Sequence, residues 1–147
     1  MNLMKSVTNQ PYRSLKSKFD NLDTASNFAI VVSARKGLQP KVFYDFAEAI
    51  KMPERSLAAL INLSSRTISN YKESQKKLDP LYGEHLLKLI ALFEKGEQIF
   101  GNVDEFNYWL QKPFWNSNEK PQDWLGTGGG VDFLAEELEN LAQGYPV

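Results

Sequence analysis

The 147-residue chain has no cysteine and a single histidine, His85. Without cysteine it can form neither a disulfide bond nor a thiolate metal site, and it has no cysteine nucleophile. This absence fits a reducing cytoplasm, which is where we expect the protein to act. No apolar run approaches the roughly 18 residues that a membrane span needs. The basic start, MNLMKSVTNQPYRSLKSKF, has no apolar segment after it, so we do not interpret it as a secretory signal.

Side chains that carry catalysis are also scarce. His85 stands beside two leucines in a predicted helix and has no cysteine partner, so we expect a surface or interface role rather than a general base. The run GTGGG at 126–130 lacks the lysine and the preceding strand of a phosphate loop. We interpret it as a turn, although such a run can hold an anion at a helix start. The sequence therefore predicts no enzyme activity, no cofactor and no metal site.

Charge is distributed unevenly along the chain, although the net charge is only −1. Residues 1–100 contain 15 Lys and Arg against 10 Asp and Glu, a balance of +5. Residues 101–147 contain 2 against 8, a balance of −6. A basic segment suits an anionic partner and an acidic segment does not. We therefore expect the two portions of the chain to face different partners.

The apolar spacing is helical nearly throughout, which predicts an all-α fold. The one strand-like run, IVV at 30–32, has no second run to pair with, and we predict that Phe28, Val31 and Val32 are the apolar positions of a helix there. Residues 1–22 are predicted to form a loosely ordered, flexible arm. The predicted helices span residues 24–36, 40–51, 53–61, 65–73, 80–100, 105–111 and 131–143.

Three glycines and one acidic residue are predicted to define helix ends. Gly37, Gly101 and Gly144 each follow a helical pattern at the position where glycine ends a helix. Asp104 is predicted to cap the short helix that follows Gly101. Residues 113–130 then form a predicted loop rich in proline, glycine and asparagine.

The stretch LAALINLSSRTISNYK meets the demands of a helix-turn-helix unit. Ala58 is the small residue that lets the second helix cross the first closely, and Asn62 suits a turn at positive φ. Leu63 fills the space between the helices, and Ile68 and Tyr71 are the inward residues of the second helix. A plain two-helix corner also needs a small residue and a turn, so that interpretation stays open.

If this unit binds DNA, the outer face of its second helix meets the bases. Arg66 can make paired hydrogen bonds to guanine and Asn70 to adenine, and Ser65 and Ser69 make permissive contacts. One unit covers half a site, so we expect a homodimer on operator DNA. Phosphate contacts, which position the protein without reading sequence, are predicted for Thr67, Lys72, Lys76 and Lys77.

The remaining residues, 99–147, contain all three tryptophans. Trp109 shares one side of a short helix with Phe106 and Leu110, and we interpret it as part of a small core. Trp115 and Trp124 lie in the predicted loop. Aromatic side chains in loops form binding surfaces about as readily as they pack, so both roles stay open for these two residues.

From about residue 26 onward, the chain resembles the Xre/MbcA/ParS-type antitoxins, which are partners of RES-domain toxins. The blocks that carry the resemblance follow one another in order: ARKGL (34–38), LAALINLSSRTIS (57–69), IFGNVDEFNYWLQKP (99–113) and WLGTGGGVDFLAEELENLAQG (124–144). The family shows an F-G, W-L and P block, a T-x-x-G helix opening and a terminal glycine. The matching positions are Phe100, Gly101, Trp109, Leu110, Pro113, Thr127, Gly130 and Gly144.

The resemblance implies an antitoxin of a type II toxin–antitoxin system. Its helix-turn-helix domain, over 23–98, would bind DNA, dimerise and repress its own operon. Its toxin-binding domain, over 99–147, would occlude the active site of a RES-type toxin that consumes NAD. The predicted toxin contacts are Trp115, Trp124, Gly144, Tyr145, Pro146 and Val147.

Two features depart from the family pattern: the loop FWNSNEKPQDW is not the usual Leu-Gly-Gly-rich version, and Gln143 stands where a histidine is common. The main alternative function is a stand-alone dimeric transcriptional regulator whose C-terminal part only dimerises. A protein-binding module that has lost DNA affinity is a third interpretation, because an overall pI near 5.9 is low for a DNA-binding domain.

Overall fold

The structure is a computed structural model that describes residues 14–144, and this part of the chain is all-α, as predicted. It contains no strand, and its one isolated β-bridge joins Leu38 to Leu78. No helix within it is both long and apolar enough to cross a membrane. The helices are α1 (Leu15–Lys18), α2 (Asn27–Lys36), α3 (Pro40–Ala49), α4 (Glu54–Leu60), α5 (Ser65–Glu73), α6 (Pro80–Phe100), α7 (Val103–Leu110), a 3-10 helix (Pro121–Trp124) and α8 (Gly128–Ala142).

Helix α6 is the centre of the fold, and α1, α2, α7 and α8 all pack against it. A line of aromatic rings crosses the core through this helix. The ring of Phe93 lies 5.5 Å from that of Phe46 in α3 and 4.9 Å from that of Phe106 in α7, both in edge-to-face geometry. All three side chains are fully buried. The two portions of the chain that differ in charge therefore share one continuous core.

Most helix ends follow signals that the sequence shows. The Ser64 hydroxyl accepts a hydrogen bond from the Thr67 N–H and begins α5. Gly37 (φ 94°) and Gly101 (φ 96°) follow α2 and α6, as predicted. The cap of α7 was assigned wrongly: the Asn102 side chain, not that of Asp104, accepts a hydrogen bond of 2.8 Å from the backbone of the first turn.

Helix α8 begins three residues earlier than predicted, and this makes the prediction of a turn at GTGGG partly wrong. The glycines at 128–130 form the first turn of the helix. Thr127 caps that turn, because its hydroxyl accepts a hydrogen bond of 3.0 Å from the Gly130 N–H. Three consecutive glycines are typical of a turn, but a cap residue and a close approach of backbone favour the helix here.

The inward face of α2 also differs from the prediction. Phe28 is 77% exposed and Val31 38% exposed, whereas Ile30 and Ala34 are buried. Ala34 lies beside Gly83 of α6, where a Cβ added to the glycine would stand 3.8 Å from Ala34.

The first described residues pack tightly, in contrast to the loosely ordered arm predicted over 1–22. Leu15 and Phe19 are buried, and the Leu15 N–H donates a hydrogen bond of 2.8 Å to the carboxylate of Glu97. Just after this segment, the Thr24 hydroxyl donates to the carboxylate of Glu94, whose pKa is raised by burial. Residues 1–13 of the predicted arm lie outside the described residues.

Three ion pairs join the basic portion of the chain to the acidic portion. They are Lys51–Asp104, Lys88–Asp132 and Lys95–Glu139, each with a nitrogen–oxygen distance of 2.9 Å. The hydrogen bond from Lys95 holds the pKa of the Glu139 carboxyl below its usual range.

Alanine substitutions at two neighbouring glycines in the first turn of α8 are expected to have opposite effects on the free energy of unfolding. A Cβ at Gly130 would overlap the backbone carbonyl of Trp124, whereas a Cβ at Gly129 meets nothing within 4 Å. Gly130→Ala is expected to lower the free energy of unfolding by about 1–3 kcal/mol, because the overlap cannot relax cheaply. Gly129→Ala is expected to raise it by about 0.4–1 kcal/mol. Urea denaturation followed by circular dichroism measures both, and equal stabilities would contradict the close approach.

Candidate functional site

Helices α4 and α5 form the predicted helix-turn-helix unit. Ala58 is fully buried at their crossing, and its carbonyl accepts hydrogen bonds from the backbone N–H groups of Ile61 and Leu63. Asn62 adopts a φ of 65°, as the turn requires. Leu63 is half-buried and packs against the core. The turn therefore fixes the direction in which α5 leaves α4.

Helix α5 buries its predicted inner face and leaves most of its outer face in solvent. Ile68 and Tyr71 are buried, and the exposed side chain of Arg66 has no ion pair or hydrogen bond to any residue of 14–144. Its guanidinium is thus free to meet a base edge or a phosphate. Among the other predicted DNA contacts, Ser65, Asn70, Lys72 and Lys76 are exposed, while Thr67 and Ser69 are half-buried.

Thr67 is already engaged within the protein. Its hydroxyl lies 2.9 Å from the hydroxyl of Ser64, and its N–H donates to that same hydroxyl to cap α5. This arrangement suits a residue that fixes the start of the helix. A phosphate contact by the Thr67 hydroxyl would therefore compete with its hydrogen bond to the Ser64 hydroxyl.

Three lysines within or just after α5 contact an aromatic ring or a backbone carbonyl. The ammonium of Lys72 lies 4.7 Å from the ring centroid of Tyr44, and that of Lys76 lies 5.6 Å from that of Tyr71. Exposed cation–π contacts of this kind stabilise by only about 0.5–1 kcal/mol, so both lysines remain available to phosphate. Lys77 differs, because its ammonium donates a hydrogen bond of 3.3 Å to the carbonyl of Lys36.

Two residues of this surface, Tyr44 and Glu73, were not predicted from the sequence. The ammonium of Lys72 lies over the ring of Tyr44 in α3. The pKa of Tyr44 is raised by burial and by the nearby carboxylates of Glu54 and Glu73. Glu73 is the exposed last residue of α5. A carboxylate there repels phosphate and can accept only from cytosine or adenine amino groups. Tyr44 is separated from α5 by some twenty residues, so no local pattern could have identified it.

The tryptophans of the second portion have three different environments. Trp109 is half-buried, with its ring stacked 5.9 Å from that of Phe106, which matches its expected core role. Trp115 is 87% exposed. Trp124 is half-buried, with its ring centroid 5.0 Å from that of Phe133. Its buried indole Nε1 has no hydrogen-bond partner among the described residues.

The predicted toxin contacts fall into two separate groups. Trp115 and Trp124 lie near the start of α8, whereas Gly144 follows its end with a φ of 86° and is exposed. At 1.5 Å per residue, the 15 residues of α8 separate these groups by about 22 Å. Tyr145, Pro146 and Val147 lie outside the described residues.

His85 is buried rather than on the surface, which corrects the sequence-based prediction. Its Nε2 lies 2.9 Å from the carbonyl oxygen of Leu125 and ties α6 to the segment before α8. The described residues contain no group of three or more His, Asp or Glu side chains that could hold a metal ion.

Comparison with known families gives a match over the segment that contains α4 and α5. Residues 30–91 match the model of the antitoxin Xre-like helix-turn-helix domain. The match begins within α2 and ends within α6, so it covers the helix-turn-helix unit and the helices that support it. No curated protein matches the chain.

Two adjacent serines, Ser64 and Ser65, are expected to differ in their contribution to stability, because only Ser64 caps α5. Ser64→Ala is expected to lower the free energy of unfolding by about 1 kcal/mol, because the Thr67 N–H loses its cap. Ser65 is exposed, so Ser65→Ala is expected to change it by less than about 0.5 kcal/mol. Thermal or urea unfolding compares the two variants, and equal losses would contradict the assignment of Ser64 as the cap.

Proposed function

We propose that the protein is the antitoxin of a type II toxin–antitoxin system and acts in the cytoplasm without catalysing a reaction. Residues 23–98 would bind operator DNA, and residues 99–147 would bind a RES-type toxin that consumes NAD. The observation that carries this proposal is an exposed, unpaired Arg66 on a helix-turn-helix within the stretch that matches the antitoxin domain.

On DNA, α5 would enter the major groove with its first turn nearest the bases. Arg66 and Asn70 would read bases, and Ser65 and Ser69 would make permissive contacts. Lys72 and Lys76 would leave their aromatic partners for phosphates. A homodimer would cover two half-sites in the promoter and repress the protein's own operon.

The packing favours separate surfaces for the two partners. Helix α5 packs against α3 and α4, whereas α7 and α8 pack against α6. Residues that would contact the toxin therefore lie on elements that do not support α5 directly. This separation allows the protein to bind toxin while α5 remains open to DNA.

Toxin inhibition would be obstruction of the active site. The residues from Gly144 to Val147 follow α8, which would act as a supporting surface and place them at the entrance of the toxin's pocket. The acidic balance of 101–147 suits a basic pocket mouth. Trp115, exposed in the loop before α8, would add contact area away from this entrance.

Arg66→Ala is expected to weaken binding to the upstream promoter by about 1–3 kcal/mol and to relax the preference for guanine at one position. Lys76→Ala serves as the matched variant, because a lost phosphate contact weakens binding to all sequences and reduces the salt slope by about one unit. Fluorescence anisotropy over a salt series measures both. An equal loss on unrelated DNA for Arg66→Ala would make Arg66 a phosphate contact instead.

Truncation after Gln143 is expected to abolish protection of cells that co-express the product of the neighbouring gene, because it removes the residues proposed to fill the toxin pocket. The truncated protein should still bind the promoter, which controls for folding. Growth that remains protected would show that the terminus does not obstruct the active site. If the full-length protein forms no complex with that gene product, the stand-alone regulator becomes the better description.

A further inference from the structure

Three aromatic rings form a cluster on the surface of the second portion. The ring of Trp124 lies 5.0 Å from that of Phe133 and 6.3 Å from that of Phe114, and Phe114 and Phe133 are 6.4 Å apart. Phe114 and Trp124 are half-buried, and Phe133 is 37% exposed. Trp115, 87% exposed, follows Phe114 directly. We call Phe114, Trp115, Trp124 and Phe133 the aromatic shelf.

Phe114 and Trp124 of the aromatic shelf pack against the buried core. Leu125 and Leu134, the neighbours of Trp124 and Phe133 in the chain, are fully buried. Outside this layer, the rings of Trp115 and Phe133 are exposed to solvent. Large aromatic side chains left partly in solvent are typical of protein–protein interfaces.

Carboxylates without an ion pair lie close to the shelf residues in the chain, and one of them, Asp123, accepts a hydrogen bond of 2.9 Å from the Lys120 N–H. Glu136 and Glu137 follow Phe133 by one turn of α8, and Glu119 and Asp123 lie on the chain between Trp115 and α8. None of these four forms an ion pair with a residue of 14–144. By contrast, Asp132 and Glu139 of the same helix are paired with Lys88 and Lys95 on α6.

We propose that the aromatic shelf is a second anchor for the toxin, at the opposite end of α8 from Gly144. Its partner would be a protein surface with an apolar recess rimmed by lysine and arginine side chains, which complements rings bordered by carboxylates that form no ion pair. This inference rests on the proposed function. It makes the grip bipartite: the chain terminus blocks the pocket, and the shelf holds the toxin about 16–22 Å away along α8.

The test uses the full-length protein and a purified, catalytically inactive form of the neighbouring gene product. The double variant Trp115→Ala, Phe133→Ala is expected to weaken binding roughly 10- to 30-fold, as truncated interface anchors do. Phe28→Ala is the matched control, because Phe28 is an aromatic residue 77% exposed on α2, and it should bind like the wild type. Glu136→Gln, Glu137→Gln should slow association and reduce its dependence on salt. Thermal unfolding of each variant checks that folding is retained.

The outcomes separate this inference from the proposed function. If the wild type does not bind the gene product, the proposed function fails. If the wild type binds and the shelf variant binds equally well, the shelf is not an anchor, while the proposed function stands. If the shelf variant changes the oligomeric state of the free protein but not its affinity for the gene product, the shelf binds a second copy of this chain, and the proposal is overturned.

Discussion

The fold depends on the burial of α6 between two sets of helices. The rings of Phe46, Phe93 and Phe106 pack edge to face through this helix, so the helix-turn-helix portion and the C-terminal portion close one core together. Each fully buried ring contributes on the order of 1.5–3 kcal/mol by leaving water. Gly96 makes this possible on the α7 side, because a Cβ there would collide with the ring of Phe106.

The sequence predicted features that depend on local chemistry and failed where distant residues decide. The bounds of α5 agree with the prediction because Ser64, its cap, stands directly before it. The apolar positions predicted for α2 do not form its buried face, because apolar residues occur on both sides of this helix and its packing against α6 buries Ile30 and Ala34. The same limit applies to the candidate site. Arg66 and Asn70 could be placed on an outer face, whereas the support of Lys72 by Tyr44 could not be foreseen.

Ion pairs within the protein explain part of the charge asymmetry along the chain. The basic and acidic portions suggested separate partners, yet Lys51, Lys88 and Lys95 each pair with a carboxylate of residues 101–147. Pairs on the surface stabilise little, because water screens them. Lys88 differs from the other two lysines because its side chain is only 15% exposed. What remains after this pairing is a smaller excess of carboxylates without an ion pair, most of them close in the chain to residues of the aromatic shelf.

Because the two portions share a core around α6, the loss of one portion is expected to destabilise the other. Removal of residues 101–147 by a protease would uncover Phe93 and Gly96 along α6 and leave the helix-turn-helix with an open apolar face. Regions that lose buried contacts unfold more readily and become substrates for further cleavage. Degradation that begins in the C-terminal portion would thus spread to the helix-turn-helix portion, so that a cell would lose both portions together.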